Sequence, residues 1–497
     1  MMTALRLGLA RRRETLWMLG LTVLVGAVYL RTLLPEVGHS GDTAKFQFVG
    51  RYLGTPHATG YPTYIFLNHI FTRFLPFGTV AYRANLLSAV FTLFGLAFVY
   101  RILRLLDVDR PVSFAAAALL GFTPTLWLHS LFAEVYTLHL LFMTASTFFV
   151  LRWIKGLRRR DLLMGAALYA FSFGNHLTSL WLLPSIALGV WIADRRVLRD
   201  PKVVLPVAGF VLLSASQYAY FVWRTFDPTT PYLEMRASSL EEFLWFASGG
   251  PFRSAMFAFT PGQVILERLP MFAGKLVEQF GLLLVLGALG AIVARDRRSI
   301  AFLGVYFVAN MGYALNYGIP DIDAYFIPNY FVTAIFIGLG VNYLVRRYFP
   351  RPGRLAPLLV VMLPLPLLVS NYARLDQSQN LAKVRETLAV LRAAEENAVI
   401  VVPNYDVFEY LTYYRIAEGW GDRGIHLHHK PDLEAAIGDV KAYLSQEIPL
   451  AGATPGLRVY FAGVTGTQVE AIRASGLDLL EVKEDLLFEV EDRSSRP

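Results

Sequence analysis

The sequence predicts a mainly α-helical membrane protein, in which a polytopic bundle of about 11 spans precedes a soluble C-terminal α/β domain. Hydrophobic residues make up 55% of the 497 residues, charged residues only 17%, and the mean hydropathy is +0.45. This composition excludes a soluble globular protein of that length. Basic residues recur in every second gap between the apolar segments, and the apolar segments end near residue 371.

The predicted spans approach the ~20 residues that cross ~30 Å of hydrocarbon as a helix. They are 17–34, 85–106, 112–128, 135–153, 162–173, 178–193, 203–223, 276–294, 301–317, 326–345 and 355–369. We interpret 162–193 as a hairpin that turns at Gly174, Asn175 and His176, because one long helix would break the alternation of the basic clusters. Both arms are short, so we expect this turn below the outer membrane surface, buried in protein or lining a cavity.

Orientation follows from the basic clusters, because Lys and Arg near span ends stay on the cytoplasmic side. The clusters lie at 11–13, 101–110, 152–160, 195–202, 295–298 and 346–354. They predict a multi-pass plasma-membrane protein with a cytoplasmic N-terminus. Domain 1–371 then carries outer loops at 35–83 and 224–275, and domain 372–497 lies outside the cell. The first apolar run is interpreted as a retained helix, since no A-x-A-like cleavage site follows it.

The net charge of +8 is therefore a topology signal and does not indicate a nucleic-acid partner. The absence of cysteine excludes disulfides and thiolate metal ligands. In the C-terminal domain we predict helices at 381–391 and 433–444 and strands at 398–402 and 457–461. The run His426, His428 and His429 lacks a clear acidic or cysteine companion, so no metal site is predicted there.

Polar side chains near a membrane cost free energy unless they are paired or functional. Here they collect in five loops that the alternation places on the outer side, which predicts a walled pocket. The candidate residues are Asp42, Lys45, His57, Tyr61, Glu134, Tyr136, His139, Asn175, His176, Arg236, Arg253, Asp321 and Asp323. Structural roles stay open for several of them: Asp42 as a helix cap, Glu134 and His139 as hydrogen-bonding groups between helices, and His176 as a core histidine.

The strings at these loops resemble the DUF2723 family of membrane proteins. They are Asp42 with Lys45-Phe46, H-A-T-G-Y-P at 57–62, L-P-F-G at 75–78, R-A-N-L-L-S-A at 83–89, A-E-V-Y-T-L-H at 133–139, G-N-H-L-T at 174–178, the segment 240–253, and P-D-I-D-A-Y-F-I-P at 320–328. That family includes the TMEM260-type protein O-mannosyltransferases and is placed among the GT-C glycosyltransferases. Family members often carry Glu where this chain has Lys45, which leaves Asp42 as the only carboxylate immediately there.

The resemblance implies a GT-C fold and an enzyme that moves a sugar from a polyprenyl-phosphate donor in the outer leaflet to a hydroxyl acceptor on a protein or glycan. Inverting transfer needs a carboxylate to accept the acceptor's proton, and we assign this role of general base to Asp42. The departing phosphate needs cationic or N–H donors. Candidates for the phosphate are Lys45, His57, Arg236 and Arg253, and the remaining residues are substrate contacts. No cofactor is assigned, and one Asp with scattered carboxylates neither makes nor excludes a site for a divalent cation such as Mg²⁺.

Two other function classes compete with this interpretation. A transporter or lipid flippase also buries polar groups between many helices, but it favours ionisable residues at the midplane and repeated halves, and this sequence shows neither pattern. A non-catalytic envelope scaffold would bind partners through its C-terminal domain. A polymer ligase is not a third competing class, since it uses the same lipid-linked donor chemistry as the glycosyltransferase.

Overall fold

The computed structural model describes residues 2–349, 355–446, 448–453 and 455–491; Arg351 and Arg354 of the last basic cluster lie outside them. The chain divides into two compact units. The first comprises Met1–Leu33, Val49–Phe74 and Asn85–Gln377, and the second comprises Leu34–Phe48, Leu75–Ala84 and Ser378–Pro497. Two stretches of the predicted first outer loop therefore belong to the same unit as the C-terminal domain, whose sequence-based boundary lay after residue 371.

Up to Leu375 the described chain is mainly helical. The helices are α1 (Met2–Thr32), α2 (Thr43–Phe48), α3 (Pro62–Phe74), α4 (Val80–Leu105), α5 (Arg110–Gly121), α6 (Pro124–His129), α7 (Val135–Gly156), α8 (Arg159–Ser172), α9 (Leu183–Ala193), α10 (Pro201–Ser216), α11 (Ala219–Phe226), α12 (Leu240–Ala247), α13 (Pro261–Gln263), α14 (Leu269–Phe280), α15 (Leu284–Val293), α16 (Arg297–Leu315), α17 (Ile327–Tyr348), α18 (Leu355–Val361) and α19 (Leu365–Leu375). Short 3₁₀ segments occur at Leu177–Leu182, Arg195–Arg199, Gly250–Ala255, Gly281–Leu283 and Ile322–Phe326.

Within the described residues, seven helical stretches are long and apolar enough to cross a membrane: Arg12–Thr32, Val80–Leu105, Val135–Gly156, Pro201–Phe226, Pro261–Val293, Ile322–Tyr348 and Pro357–Leu375. Two shorter apolar stretches are Arg110–Gly121 and Leu177–Ala193. A multi-pass membrane protein is confirmed, and the count of eleven spans stays a prediction. The stretches that contain α7 and α17 are each 83% buried, whereas Pro201–Phe226 is only 17% buried, so α7 and α17 are central to the first unit.

The stretch 162–193 is not one helix. α8 ends at Ser172, a 3₁₀ segment begins at Leu177, and the backbone N–H of His176 donates to the Ser172 carbonyl at 2.9 Å. The turn is tied to α3, because the Thr63 N–H donates to the Gly174 carbonyl at 2.8 Å. A side chain at Gly174 would collide with the Thr63 hydroxyl, so glycine is required for this approach. The helix is interrupted where we predicted a turn, and the interpretation of its two arms as separate membrane spans stays a prediction.

In the second unit a five-stranded sheet has the order β2-β1-β3-β5-β4. β1 pairs in parallel with β2 and β3, and the remaining pairs are antiparallel. The strands are β1 (Val399–Val402), β2 (His426–His429), β3 (Val459–Ala462), β4 (Asp478–Lys483) and β5 (Leu487–Glu491), and the helices are α20 (Ala382–Ala393), α21 (Tyr405–Ala417), α22 (Leu433–Leu444) and α23 (Gly466–Ala474). All four β1 residues are buried, which fits a central parallel strand.

The two helices and two strands predicted in this domain are confirmed to within two residues at each end. β2 was not predicted as a strand, because its sequence is H-L-H-H. Two of its histidines contact other residues of the same domain. The imidazole of His428 lies 3.0 Å from the Asp439 carboxylate, and the imidazole of His429 contacts the Val402 carbonyl.

Candidate functional site

The candidate residues fall into both units. Asp42 and Lys45 belong to the second unit, and the other eleven belong to the first. In the first unit most of them surround the hairpin turn between α8 and the 3₁₀ segment that leads into α9. We call the aromatic and imidazole side chains at this turn the ring cluster; they are His57, Tyr61, Tyr136, His139, His176 and Tyr325.

His176 lies at the centre of the ring cluster. Its ring centroid is 5.3 Å from that of Tyr325, 5.5 Å from His139, 5.6 Å from Tyr136 and 6.1 Å from Tyr61. The His176 side chain is only 6% exposed, so protein rather than solvent surrounds it. Three other segments of the first unit thus meet at His176: the loop before α3, α7 and the 3₁₀ segment that contains Tyr325.

The orientation of His176 is fixed locally. Its Nδ1 lies 2.7 Å from the Thr178 hydroxyl and also accepts the Thr178 backbone N–H, which caps the 3₁₀ segment. The same hydroxyl lies 3.5 Å from Nε2 of His139, and Ser179 lies 3.4 Å from Nδ1 of that histidine. Because Nδ1 is used in this way, Nε2 is the ring nitrogen of His176 with capacity for a ligand.

His57 and Tyr61 extend the ring cluster from the loop before α3. Their side chains are hydrogen-bonded, with 3.0 Å between the Tyr61 hydroxyl and Nε2 of His57. The ring of His57 also packs edge-on against Phe252, at 5.6 Å between centroids. This contact brings the segment that carries Arg253 next to the ring cluster.

Carboxylate and amide side chains lie at the border of the ring cluster that faces α7. The Tyr136 hydroxyl donates to Asp321 at 3.0 Å, and the Asn175 amide donates to the Val135 carbonyl at 3.1 Å. The buried Oδ1 of Asn175 has no hydrogen-bond partner among the described residues. Glu134 caps the start of α7, so the structural role left open for it is present. Such polar groups around a turn suit recognition of a hydroxyl-rich ligand.

The other predicted cations and carboxylates are more dispersed. Asp323 pairs with Lys275 at 2.7 Å. The Arg253 guanidinium lies over the Trp245 ring at 5.0 Å and donates to the Ser248 hydroxyl at 2.9 Å. Arg236 is exposed and has no hydrogen bond or ion pair within the described part of the chain.

An apolar groove of about 940 Å³ lies along α8, α9 and α10. Its wall includes Phe173, Leu177 and Tyr218, the first two of which flank the hairpin turn, and it extends to Phe243 and Ala247 of α12. Ala247 directly precedes the Ser248 that binds Arg253. The groove therefore has one end near both the ring cluster and a guanidinium.

In the second unit, Lys45 joins the predicted base to the C-terminal domain. Its ammonium donates to Asp42 Oδ1 and to the Tyr405 hydroxyl, each at 2.9 Å. The Lys45 side chain is 0% exposed and that of Asp42 is 42% exposed. Lys45 thus has the contacts of a residue that positions Asp42, and its predicted role as a phosphate partner stays a prediction.

Further contacts hold the loop before α2 against α21. The Gly41 N–H donates to Asp406 at 2.9 Å, and the Tyr410 hydroxyl donates to the His39 carbonyl at 2.5 Å. Burial raises the pKa of the Glu36 carboxyl above its usual range and lowers the pKa of the His39 imidazole. No three His, Asp or Glu side chains in the described residues converge to hold a metal ion.

Three residues of these clusters were not predicted from the sequence. Tyr325 lies inside the P-D-I-D-A-Y-F-I-P string, and Thr178 ends the G-N-H-L-T string, so both strings contained the signal. Tyr405 is 360 residues from Lys45, and no local pattern connects the two.

Comparison with known proteins supports the resemblance found in the loops. Residues 42–199 match the family described as "Protein O-mannosyl-transferase TMEM260 N-terminal domain". The mouse protein O-mannosyl-transferase TMEM260 is 24% identical over 488 residues, which cover 91% of this chain and 66% of the mouse protein. The Dictyostelium discoideum protein of the same description is 26% identical over 123 residues, or 24% of this chain and 15% of that protein. The chain therefore spans just under two thirds of the mouse relative.

The fold is similar to that of ArnT from Cupriavidus metallidurans. The apo structure superposes with a TM-score of 0.67 and 11% identity, covering 97% of this chain and 98% of ArnT. The structure of the same protein bound to undecaprenyl phosphate gives a TM-score of 0.66 and 11% identity, covering 97% and 99%. The predicted GT-C fold, mainly helical with a small C-terminal sheet, is confirmed.

Proposed function

We propose that the protein is a membrane glycosyltransferase that transfers a sugar from a polyprenyl-phosphate donor to a hydroxyl group of an acceptor outside the cell. The observation that carries the proposal is the apolar groove, whose lining includes Leu177, the chain neighbour of His176, and Ala247, the chain neighbour of the Ser248 that binds Arg253. The names of the mouse and slime-mould relatives support transfer of a sugar to a hydroxyl oxygen, and the undecaprenyl phosphate bound to ArnT supports a polyprenyl-phosphate donor.

A polyprenyl-phosphate sugar has three chemically distinct parts, and the first unit offers a matching environment for each. The groove offers apolar surface to the isoprenoid chain. Arg253 offers a guanidinium, which binds phosphate oxygens in a fixed fork geometry. The ring cluster offers aromatic faces and polar groups such as the Asn175 amide to a sugar. We place the donor with its chain in the groove, its phosphate at Arg253 and its sugar at the ring cluster.

The proposed reaction is an inverting displacement at the anomeric carbon of the sugar. The acceptor oxygen forms a bond to this carbon while the bond to the phosphate oxygen breaks, and polyprenyl phosphate leaves with the electron pair. Asp42 accepts the proton of the acceptor hydroxyl. Its carboxylate is 42% exposed, and one of its oxygens is fixed by Lys45. Arg253 stabilises the charge that develops on the departing phosphate.

A donor panel tests the proposal. Purified full-length protein is incubated with polyprenyl-phosphate sugars, mannose first, and with a peptide that carries Ser and Thr, and both free polyprenyl phosphate and glycosylated peptide are measured. Asp42→Asn is expected to lower turnover by about 100-fold or more. The exposed Asp422→Asn serves as the matched control and is expected to turn over normally. Normal turnover by Asp42→Asn would remove Asp42 as the base, and movement of intact donor across vesicles without cleavage would favour the flippase.

The donor placement is tested separately by filling the groove. Ala208 lines the groove on α10, whereas Ala288 lies on the exposed face of α15, so Ala208→Phe and Ala288→Phe add the same side chain at two exposed alanines. We expect Ala208→Phe to raise the donor KM severalfold and Ala288→Phe to leave it unchanged. Equal KM values in the two variants would contradict the placement of the isoprenoid chain.

A further inference from the structure

A second cavity lies at the opposite end of α7 from the ring cluster. It has a volume of about 330 Å³ and is lined by residues of α4, α7 and α8 and of the link before α8: Arg101, Phe149, Arg152, Arg158, Arg160, Asp161 and Met164. We call it the arginine pocket. His139 and Arg152 are both on α7, and 13 residues of helix place them about 20 Å apart along its axis. The arginine pocket is therefore separate from the proposed active site and does not depend on its function.

Local structure brings the four arginines together. α7 ends at Gly156, and Leu157, with a left-handed φ of 51°, turns the chain so that α8 begins at Arg159. This tight link returns Arg158 and Arg160 toward Arg152 near the last turns of α7, and Arg101 adds a fourth guanidinium from α4.

Positive charge in the arginine pocket exceeds negative charge by three. Asp161 is the only carboxylate among the lining residues and pairs with Arg152 at 3.1 Å. No hydrogen bond or ion pair joins the side chains of Arg101, Arg158 or Arg160 to another described residue. The guanidinium groups of Arg101 and Arg152 both lie against the Phe148 ring, at 4.6 and 5.6 Å from its centroid. Two like charges held on one ring repel each other unless an anion lies near them.

The remaining wall of the arginine pocket is apolar. Phe149 and the 40%-exposed Met164 border it on α7 and α8, so an occupant has both a cationic and an apolar surface to contact. Guanidinium groups bind phosphate oxygens by paired hydrogen bonds, and basic pockets between membrane helices bind anionic lipid headgroups. The pocket also lies at the end of the bundle that the basic clusters predict to be cytoplasmic.

We propose that the arginine pocket binds the phosphate headgroup of an anionic phospholipid, with the acyl chains leaving past Met164. The charge of the headgroup compensates the excess of guanidinium groups, and its glycerol backbone stays at the membrane interface. An orientation signal alone needs arginines near span ends; it does not need four of them to line one cavity.

Native mass spectrometry of the delipidated full-length protein tests the proposal with phosphatidylglycerol, phosphatidylcholine and inorganic phosphate as probes. We expect phosphatidylglycerol to be retained and phosphatidylcholine to be lost. Arg101→Gln should weaken phosphatidylglycerol binding about fivefold, the effect of one basic residue near an anionic lipid. Arg298→Gln, at another exposed arginine near a span end, should leave binding unchanged.

Three results would overturn the proposal. They are equal retention of the two lipids, equal binding by Arg101→Gln and Arg298→Gln, and displacement of phosphatidylglycerol by millimolar inorganic phosphate, which would assign the pocket to free phosphate. Arg101 is used because its loss leaves the Arg152–Asp161 pair intact, so folding is preserved. A second variant, Arg158→Gln, should repeat the fivefold loss.

Discussion

We predict that removal of Asp42 destabilises the protein more than removal of Lys45, although the two residues form one ion pair. Lys45 has a side chain with 0% exposure, whereas the Asp42 side chain is 42% exposed. Asp42→Ala therefore removes the Asp42 carboxylate from beside a buried ammonium. Lys45→Met removes the buried charge and leaves a carboxylate that water already reaches.

The expected magnitudes follow from this difference. Removal of one partner from a buried pair costs about 3–5 kcal/mol, and the partial exposure of Asp42 puts Asp42→Ala at the lower end, about 3 kcal/mol. Lys45→Met keeps the length of the side chain and leaves behind only a carboxylate that is 42% exposed to water, so we expect a loss of about 1 kcal/mol. The double variant should resemble Lys45→Met, since it contains no unpaired buried charge.

Amide hydrogen exchange of the full-length protein measures the loss of stability locally, in α2 and α21. Peptides that cover α2 and the start of α21 should exchange about 100-fold faster in Asp42→Ala and no more than about fivefold faster in Lys45→Met. Peptides from α7 serve as the internal reference in each variant. If Lys45→Met opened α2 as much as Asp42→Ala did, the argument from burial would be wrong.

Two further predictions concern the hairpin turn and the loop before α2. Gly174→Ala should lower the unfolding midpoint by the equivalent of about 1–3 kcal/mol, because the added carbon meets the Thr63 hydroxyl; Gly209→Ala, where no atom lies within 4 Å, should leave the midpoint unchanged or raise it. His39 has a lowered pKa because it is buried, so the folded state binds fewer protons than the unfolded state. Protection of the loop should therefore be full above about pH 6.5 and decline as the pH falls through the lowered value. His39→Asn, which tolerates the local φ of 71°, should weaken this dependence, and an unchanged pH profile would assign it to another group.

The sequence predicted those features whose signal is local. Hydropathy and the spacing of arginines were sufficient for a polytopic bundle, and the alternation of the basic clusters predicted the break at Gly174. The buried run V-I-V-V predicted β1, because a central parallel strand is apolar on both faces. H-L-H-H carries no such signal, since β2 pairs only with β1 and its residues are all partly exposed.

Only part of the candidate sites could be predicted, again because only some of their residues carry a local signal in the sequence. Loop strings identified His57, Tyr136 and His176, and the structure brings these residues into one cluster. The strings gave no sign that Asp42 differs from these residues, although Asp42 belongs to the second compact unit and they belong to the first. Pairing of Lys45 with Tyr405 depends on tertiary structure alone and has no counterpart in composition or periodicity.

The bond from Lys45 to Tyr405 also sets an order of events during synthesis of the chain. Ribosomes add about 5–20 residues per second, so the 360 residues that separate the two side chains take about 20–70 s to make. During that interval the segment that contains Asp42 has already been made but lacks its partner on α21. The nascent protein must therefore hold a lysine destined for burial in a hydrated, unfinished state until translation is nearly complete. Chaperones or proteases that act on the emerging chain would meet this segment first in that form.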